Sequence, residues 1–223
     1  MKAIILAAGI GSRLGNSDPK PLTKLKNGDT ILKRQVHYLS EYLGINNLIA
    51  IVGYKKDLVM EAFPNLLYVY NNFYDTTNTS KSLLLGLNKI DEDVLWINGD
   101  VVFEKQLLQN IINCPQSCMA VNTNSVGEEE IKYNIYEDGT LKDVSKSVSP
   151  ALGEAVGINK IIAKDLKLFK KHLEACDEQD YFERAIELSI QDGLKIIPQD
   201  ISKYLCMEID FQDDLFNINK MLK

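Results

Sequence analysis

The first long loop of the chain carries the residue types of a phosphate-binding site. Residues 7–22 read AAGIGSRLGNSDPKPL and contain three glycines together with the cations Arg13 and Lys20. Glycine permits positive φ and lets backbone N–H groups approach an anion closely. Residues 13–34 hold six basic residues against two acids, although the whole chain has a net charge of −6. This local excess of positive charge predicts an anionic ligand.

Three interpretations of this loop stay open on the residues alone. A P-loop is excluded, because no G-x-x-x-x-G-K-[ST] pattern occurs. A dinucleotide-binding Rossmann turn is possible, since the spacing G-x-G-x-x-x-G follows a strand pattern, but Pro19 and Pro21 interrupt the helix that such a turn should open. The other two interpretations are a surface glycine loop with solvated charges and a site for a nucleoside triphosphate.

Two carboxylates follow apolar, strand-like segments that lie far apart in the chain. Asp100 comes after VLWIN and Asp210 after LCMEI. The carboxyl ends of parallel strands meet at one crevice, where two carboxylates without a cation would repel, so their pairing predicts a bound metal. On the residues alone, the five acids between residues 200 and 214 favour a solvated acidic face, and only the family resemblance given below favours a metal ligand, at Asp210. Asp213 and Asp214 are expected to be solvated residues of a helix start that tolerate substitution.

Alternating strand and helix patterns must position these residues. The repeated β-α-β order predicts an α/β fold, a three-layer α/β/α sandwich with a mostly parallel sheet, in one domain spanning 1–223. We expect Thr30 to cap a helix that ends before Gly44, and Ser80 to cap another over 81–89. Strands are predicted at 2–7, 48–53, 67–71, 94–98, 118–122, 131–136, 194–198 and 205–209, and further helices at 164–175, 180–191 and from about 212.

Composition excludes several classes of protein. With 25 basic residues against 31 acids, the chain lacks the basic surface of a general nucleic-acid binder. No apolar run approaches the ~20 residues of a membrane helix, and Met1 leads directly into a strand pattern, so a cytoplasmic protein without a membrane partner is expected. Four scattered cysteines and two histidines predict buried thiols rather than a zinc site or disulfides.

Residues 6–22 resemble the signature loop of the nucleotidyltransferases that activate sugar phosphates and phosphocholine, L-A-A-G-x-G-[ST]-R-L followed by P-K-P-L. The positions that fit this signature are Leu6, Ala7, Ala8, Gly9, Gly11, Ser12, Arg13, Leu14, Pro19, Lys20, Pro21 and Leu22. The resemblance implies a Rossmann-like mixed sheet of the nucleotide-diphospho-sugar transferase type. It also implies attack by a phosphate monoester on the α-phosphorus of a nucleoside triphosphate, with release of pyrophosphate.

Other segments resemble further parts of this family. Residues 77–82 are similar to the segment that closes over the nucleobase, and residues 139–146 to the one that brings a lysine to the acceptor. Residues 153–158 resemble the acceptor segment G-E-x-x-G-I, and residues 208–210 the E-I-D segment with a metal carboxylate. Asn98-Gly99-Asp100 departs from the frequent D-x-D metal motif, because its first position is an asparagine.

The resemblance implies a role for each matching residue. Arg13 would bind the β- and γ-phosphates, Lys20 would bridge the α-phosphate and the attacking phosphate, and Lys146 would bind the acceptor phosphate together with Glu154. Asp100 and Asp210 would hold Mg²⁺, the expected cofactor. The predicted nucleotide-binding residues are Leu6, Ala7, Ala8, Gly9, Gly11, Ser12, Thr77, Asn78, Ser82 and Gly99.

The chain is most similar to CTP:phosphocholine-type cytidylyltransferases, which include capsule-pathway enzymes such as a CTP:phosphoglutamine cytidylyltransferase. CTP and a small phosphorylated acceptor are therefore the expected partners. The nucleotide part would span about 1–110, the acceptor part about 111–205, and a C-terminal helix about 212–222, in a monomer or homodimer. A cationic acceptor would require aromatic residues, for which Tyr133, Tyr136, Tyr181 and Phe182 are candidates. The alternatives are a sugar-1-phosphate nucleotidyltransferase using UTP or dTTP, and an NAD(P)-binding oxidoreductase.

Overall fold

A computed structural model of the chain describes residues 1–15, 18–124, 126–127 and 130–222. In this part of the chain the strands are β1 (Lys2–Ala7), β2 (Leu48–Val52), β3 (Leu67–Tyr70), β4 (Val94–Asn98), β5 (Val101–Phe103), β6 (Cys118–Asn122), β7 (Lys132–Ile135), β8 (Leu141–Ser145), β9 (Gly153–Ile161), β10 (Ile197–Asp200) and β11 (Cys206–Glu208). The α-helices are α1 (Ile31–Leu43), α2 (Lys56–Ala62), α3 (Thr79–Leu87), α4 (Leu107–Asn113), α5 (Leu166–Ala175), α6 (Phe182–Gln191) and α7 (Gln212–Met221).

The main sheet is mixed and mostly parallel, with β1 near its centre. Its strand order is β10-β6-β9-β4-β1-β2-β3, and β7 pairs with β9 and β8. Strand β1 pairs in parallel with β2 on one side and β4 on the other, whereas β9 runs antiparallel between β4 and β6. From β1 the chain continues to β2 and β3 on one side of the sheet and later returns to β4 on the other side. A crevice forms where the strand order reverses in this way, at the carboxyl end of β1, and α/β proteins bind ligands at such a crevice. The predicted fold class is confirmed.

Helices cover both faces of the sheet. Helices α3, α5 and α6 pack on one face, where Trp96 stacks on Phe169 at 5.4 Å and meets the edge of Phe182 at 5.6 Å. Helices α1, α2 and α4 pack on the other face. A third apolar cluster joins Leu14, Ile209 and other side chains beneath α7. This cluster holds the C-terminal segment against the loop that follows β1.

The glycine loop does not open a helix directly. It forms two short 3-10 turns, Ser12–Leu14 and Lys20–Leu22, and the first α-helix begins only at Ile31. Thr30 caps that helix as predicted, because its Oγ1 accepts the backbone N–H of Lys33 at 3.1 Å. The helix N-terminus that a dinucleotide turn requires is therefore absent from the described part of this loop, and the geometry does not support the dinucleotide interpretation.

Several elements differ from the prediction. Helix α3 is capped by Asn78, whose Oδ1 accepts the Thr79 N–H at 2.8 Å, so the prediction that Ser80 caps it was wrong; Ser80 is buried within the first turn. Strand β9 was not predicted, because polar Lys160 breaks its apolar pattern. Lys160 is buried since its Nζ donates to the carbonyls of Ile112 and Cys114 at the C-terminal end of α4, at 2.9 and 2.6 Å. The pattern also did not predict α2, α4, β5 and β8, and β10 lies three residues later than expected.

Cys114, Cys118 and Cys176 are buried free thiols, and Cys206 is half-buried and also free. Among the helices of the described residues, none has the length and apolarity needed to cross a bilayer.

Candidate active site

A cavity of about 820 Å³ opens at the carboxyl ends of β1 and β4. Gly99 closes its floor, because its N–H donates to the carbonyl of Leu6 at 2.9 Å. A Cβ at this position would lie 2.6 Å from the same oxygen and 3.1 Å from the Pro21 ring. Only glycine fits between the two strand ends and the proline of the loop, so the sequence Asn98-Gly99-Asp100 brings Asp100 to the cavity.

The glycine loop positions Lys20 beneath itself. Gly11 has φ +66°, and a Cβ there would lie 2.7 Å from the Cβ of Lys20. The lysine side chain therefore packs against the backbone of Gly11, and only 12% of it remains exposed. The short 3-10 turn after Pro19 sets the direction of this side chain into the cavity. Arg13, in contrast, lies 60% exposed at the cavity mouth.

Lys20 joins the two predicted metal ligands. Its Nζ lies 2.6 Å from Asp100 Oδ2 and 2.5 Å from Asp210 Oδ1, although these residues are 80 and 190 positions away. Burial by itself would lower the pKa of Lys20, but Asp100 and then Asp210 outweigh burial, so that the pKa is raised and the ammonium is held charged. The expectation that these carboxylates can pair only around a metal was wrong, since the Lys20 ammonium lies between them and Arg13 Nη1 lies 3.5 Å from Asp210 Oδ2.

The start of α7 fixes Asp210. Its backbone N–H and that of Phe211 both donate to Oδ2 of Asp214, at 2.9 and 2.7 Å. The N–H of Ile209 donates to the carbonyl of Asp100 at 3.1 Å and so ties the two acidic segments together. Asp214 is thus a helix cap and not the freely solvated residue that was expected, whereas Asp213 is exposed as expected.

The donor set at this end of the cavity fits Mg²⁺. Asp100 Oδ1 and Asn98 Oδ1 are buried, and neither has a hydrogen-bond partner among the described residues. Hard oxygen donors of this kind suit Mg²⁺, which proteins commonly bind through one or two carboxylates while substrate phosphates and water complete the octahedron. No group of three or more His, Cys, Asp or Glu residues in the described ranges is spaced to hold a metal. Asp100 and Asp210 would therefore share the ion with a nucleotide.

Three glutamates that sequence reasoning missed also line the cavity, Glu130, Glu183 and Glu208, and Glu208 Oε1 accepts the Asn98 amide N–H at 3.1 Å. Burial raises the pKa of Glu183 to about 7, and its own backbone N–H and the charge of Lys146 only partly offset this effect. Burial of its carboxyl group and then the charge of Asp100 raise the pKa of Glu208 well above its ordinary range. Burial and then the charge of Glu154 raise the pKa of Glu130. We call these three residues the carboxyl wall.

Aromatic side chains stand beside the carboxyl wall. Tyr181 and Phe182 line the cavity, as does Phe211, which is 54% exposed. The Nζ of Lys146 lies 5.9 Å from the centre of the Tyr181 ring, a cation–π distance. Of the other predicted aromatic candidates, Tyr133 is buried in the core and Tyr136 is exposed outside the cavity lining.

The remaining predicted residues divide between the cavity and its surroundings. Thr77 and Ser82 lie outside the lining, where both hydroxyls accept hydrogen bonds from the Asn71 amide at 3.0 Å. Ala8 and Glu154 are not part of the lining either. The carbonyl of Ala8 accepts the Tyr54 N–H, and the Glu154 carboxylate accepts the Gly127 N–H. The side chain of Ser12 lies outside the described part of the structure. The predicted residues that do line the cavity are Leu6, Ala7, Gly9, Gly11, Arg13, Lys20, Asn78, Gly99, Asp100, Lys146 and Asp210.

Two sequence signals point to the carboxyl wall. Glu208 lies two positions before Asp210, and side chains at this spacing in an extended chain lie on the same face. Glu183 falls on the apolar stripe of α6, next to Phe182 and one turn before Ile186, where a charged side chain is unusual. Glu130 has no comparable signal, because it lies in a loop.

The family model of the MobA-like NTP transferase domain matches residues 3–172, most of the chain. The chain belongs to the MobA-like NTP transferase family. The match includes the glycine loop, Asp100 and Lys146, and it ends before Glu183 and Asp210. The predicted family and enzyme class are thereby confirmed.

Relatives with known names agree with this membership in the MobA-like NTP transferase family. The chain is 35% identical over 126 residues to CMP-5'-(3-aminopropyl)phosphonate synthase of Streptomyces rubellomurinus, covering 52% of this chain and 20% of that protein. It is 35% identical over 116 residues to choline-phosphate cytidylyltransferase of Streptococcus pneumoniae, covering 49% of each. It is 27% identical to bifunctional protein GlmU of Methanococcus maripaludis, over 87% of this chain and 46% of that protein. The matched segments thus span at most about half of these relatives.

Solved structures share the fold of this MobA-like domain. CTP:phosphocholine cytidylyltransferase from Streptococcus pneumoniae superposes with a TM-score of 0.81 and 22% identity, covering 100% of this chain and 99% of that one. The inositol-1-phosphate CTP transferase from T. maritima superposes with a TM-score of 0.82 and 18% identity, covering 99% and 94%.

Proposed function

We propose that the protein is a Mg²⁺-dependent cytidylyltransferase that transfers CMP from CTP to a small acceptor bearing both a phosphate or phosphonate and a cationic group. The observation that carries this proposal is the position of Lys20, held by Asp100 and Asp210 beneath the glycine loop. Residues 1–110 would supply most of the nucleotide site, residues 111–205 most of the acceptor site, and the C-terminal helix would follow over 212–222.

The nucleotide would lie along the glycine loop. Leu6, Ala7, Gly9 and Gly99 line the cavity and would offer a flat backbone surface for a base and ribose, and Arg13 at the cavity mouth would bind the β- and γ-phosphates. A planar guanidinium suits this role because it can donate two parallel hydrogen bonds to phosphate oxygens. Bound Mg²⁺, held by Asp100 and Asp210, would neutralise charge on the triphosphate.

The reaction needs no covalent intermediate on the protein. An acceptor oxygen that is already deprotonated attacks the α-phosphorus, and a new P–O bond forms. The bond from the α-phosphorus to the bridging oxygen breaks, and pyrophosphate leaves with the electron pair. Lys20 would hold the attacking and α-phosphate oxygens together, which supplies alignment and charge stabilisation. Lys146 would bind the acceptor phosphate.

The carboxyl wall supports a cationic acceptor. Three carboxyl groups in one part of a cavity repel one another, and burial adds to the cost of ionising them, so a bound cation is the group that they would favour most. Tyr181 and Phe211 add aromatic faces for an ammonium group. The two relatives that are 35% identical have names that include choline phosphate and aminopropylphosphonate, both of which combine an anionic and a cationic end.

A second candidate activity follows from the glycine loop, which resembles that of enzymes that activate sugar phosphates as well as that of enzymes that activate phosphocholine. A sugar 1-phosphate acceptor with UTP or dTTP is therefore the alternative. Neutral sugar hydroxyls would not offset the charges of the carboxyl wall, which favours the first candidate. The product of the first candidate reaction, transfer of CMP from CTP, would be a cytidine-activated compound used by a later transferase. A cytoplasmic location and a role in capsule or other cell-surface polysaccharide modification are part of the proposal.

Thermal unfolding and pyrophosphate release test this assignment. CTP, UTP, dTTP, GTP, NADH and NADPH are each added with Mg²⁺, and the change in Tm is measured. Each triphosphate is then combined with phosphocholine, phosphoethanolamine, 3-aminopropylphosphonate or glucose 1-phosphate, and released pyrophosphate is counted. We expect the largest Tm shift with CTP and turnover with a cationic acceptor. Turnover confined to glucose 1-phosphate with UTP or dTTP would favour the alternative, and stabilisation only by a dinucleotide would refute both.

A further inference from the structure

The position of Lys20 has a consequence for metal binding. Its Nζ is within 2.6 Å of one oxygen of Asp100 and within 2.5 Å of one oxygen of Asp210. A cation that binds both carboxylates would take the same place between them, because both oxygens lie within hydrogen-bond distance of this one atom. The lysine and a metal ion therefore cannot both occupy this position.

We infer that Lys20 is the resident cation of the nucleotide-free site, and that a divalent metal enters between Asp100 and Asp210 only as Lys20 moves away from them. The inference rests on the proposed function, which assigns these carboxylates to Mg²⁺. It adds a linkage between metal and nucleotide, since a triphosphate offers Lys20 new anionic partners and so releases the carboxylates.

The surroundings support an exchange between two positions. Gly11 has no side chain to obstruct the stem of Lys20, and Lys20 itself lines the cavity, so its tip can turn toward the cavity. Both carboxylates are anchored through the backbone, by the Ile209–Asp100 hydrogen bond and by the cap of Asp214. The carboxylates thus stay in place when the lysine leaves, and Asp100 Oδ1 has no hydrogen-bond partner among the described residues.

Metal affinity of the nucleotide-free protein is the direct test. Free Mn²⁺ is measured by electron paramagnetic resonance during titration of the wild type, Lys20→Met, Lys20→Gln and the exposed control Lys24→Gln. A single charge-assisted hydrogen bond corresponds to about a tenfold change in an equilibrium constant. We therefore expect both Lys20 variants to bind Mn²⁺ at least about tenfold more tightly than the wild type and the control. Asp100→Asn added to Lys20→Met should abolish the gain.

The second measurement is the Tm of each variant with and without Mg²⁺. Lys20→Met and Lys20→Gln should be destabilised without metal, because the carboxylates lose their cation, and Mg²⁺ should restore their Tm more than it raises that of the wild type. Lys20→Gln retains a polar side chain and serves if the methionine variant does not fold. Equal Mn²⁺ affinity in wild type and both variants would overturn the inference.

The outcomes separate this inference from the proposed function. If the Lys20 variants gain Mn²⁺ affinity that depends on Asp100, while no triphosphate and acceptor pair releases pyrophosphate, the competition stands and the reaction is wrong. If cytidylyl transfer is observed but the variants gain no affinity, the competition alone is wrong.

Discussion

Replacing Glu183 by glutamine tests whether ionisation of this buried carboxyl group in the carboxyl wall lowers the free energy of unfolding. Glu183 is 7% exposed on α6, and burial raises the pKa of its carboxyl from an ordinary 4.5 to about 7. Such a group favours the protonated form in the folded protein. Because the unfolded chain releases this proton first as the pH rises, the free energy of unfolding falls between pH 4.5 and pH 7.

The size of the effect follows from the shift of the pKa. A difference of about 2.5 pKa units corresponds to about 3 kcal/mol of stability that the wild type lacks above pH 7. Glutamine has nearly the same shape and cannot ionise. Relative to wild type, Glu183→Gln should therefore gain about 2–3 kcal/mol between pH 5 and pH 8, which for a chain of this length is roughly 5–10 °C in Tm.

Urea unfolding at pH 5 and pH 8 measures this gain directly. Glu174→Gln, at an exposed position of α5, is the matched control and should show no comparable change between the two pH values. Addition of a cationic acceptor should stabilise the wild type more than Glu183→Gln at pH 8. If Glu183→Gln is no more stable relative to wild type at pH 8 than at pH 5, the carboxyl is not strained by its environment and the reasoning fails.

Three further substitutions test the other parts of the site. Lys20→Ala should lower kcat by about 10²–10³-fold with a smaller change in nucleotide affinity, because its contacts strengthen in the transition state; near wild-type turnover would remove it from the mechanism. Gly11→Ala should lower stability by about 1–3 kcal/mol and also reduce turnover, since the methyl group displaces Lys20. Gly139 also has a positive φ but has open space beside it, so the control Gly139→Ala should lower stability alone. Equal turnover of the two variants would contradict this prediction. Asp214→Asn should raise the KM for Mg²⁺ because it loosens the cap that holds Asp210, and Asp213→Asn should not; identical Mg²⁺ dependence would show that the cap does not position the ligand.

Local sequence rules predicted the parts of the fold that depend on local chemistry. Thr30 caps α1 because its hydroxyl satisfies a free N–H, and this requires only neighbouring residues. Strand β9 escaped prediction because Lys160 is buried only through carbonyls at the end of α4, 46 and 48 positions earlier in the chain. A polar residue that is satisfied by a distant partner breaks an apolar pattern without breaking the strand.

The candidate site divides in the same way. The glycine loop and its two cations could be found from residue types and spacing. The bridge from Lys20 to Asp100 and Asp210 could not, because it joins three segments that only the sheet order brings together. The carboxyl wall was missed for a related reason. Glu130, Glu183 and Glu208 lie in a loop, a helix and a strand, and the sequence alone does not show that these three elements meet at one cavity.

Acceptor-dependent release of pyrophosphate from CTP tests the cytidylyltransferase assignment. The purified protein is incubated with CTP and Mg²⁺, with and without phosphocholine, phosphoethanolamine or 3-aminopropylphosphonate, and ³¹P NMR follows the α-phosphorus. We expect one of these cationic acceptors to yield equal amounts of pyrophosphate and a cytidine-containing product, which is a diphosphate for a phosphate acceptor and a mixed phosphate–phosphonate anhydride for the phosphonate. Lys20→Ala should lose this activity. CTP that stays intact with all three acceptors would contradict the assignment.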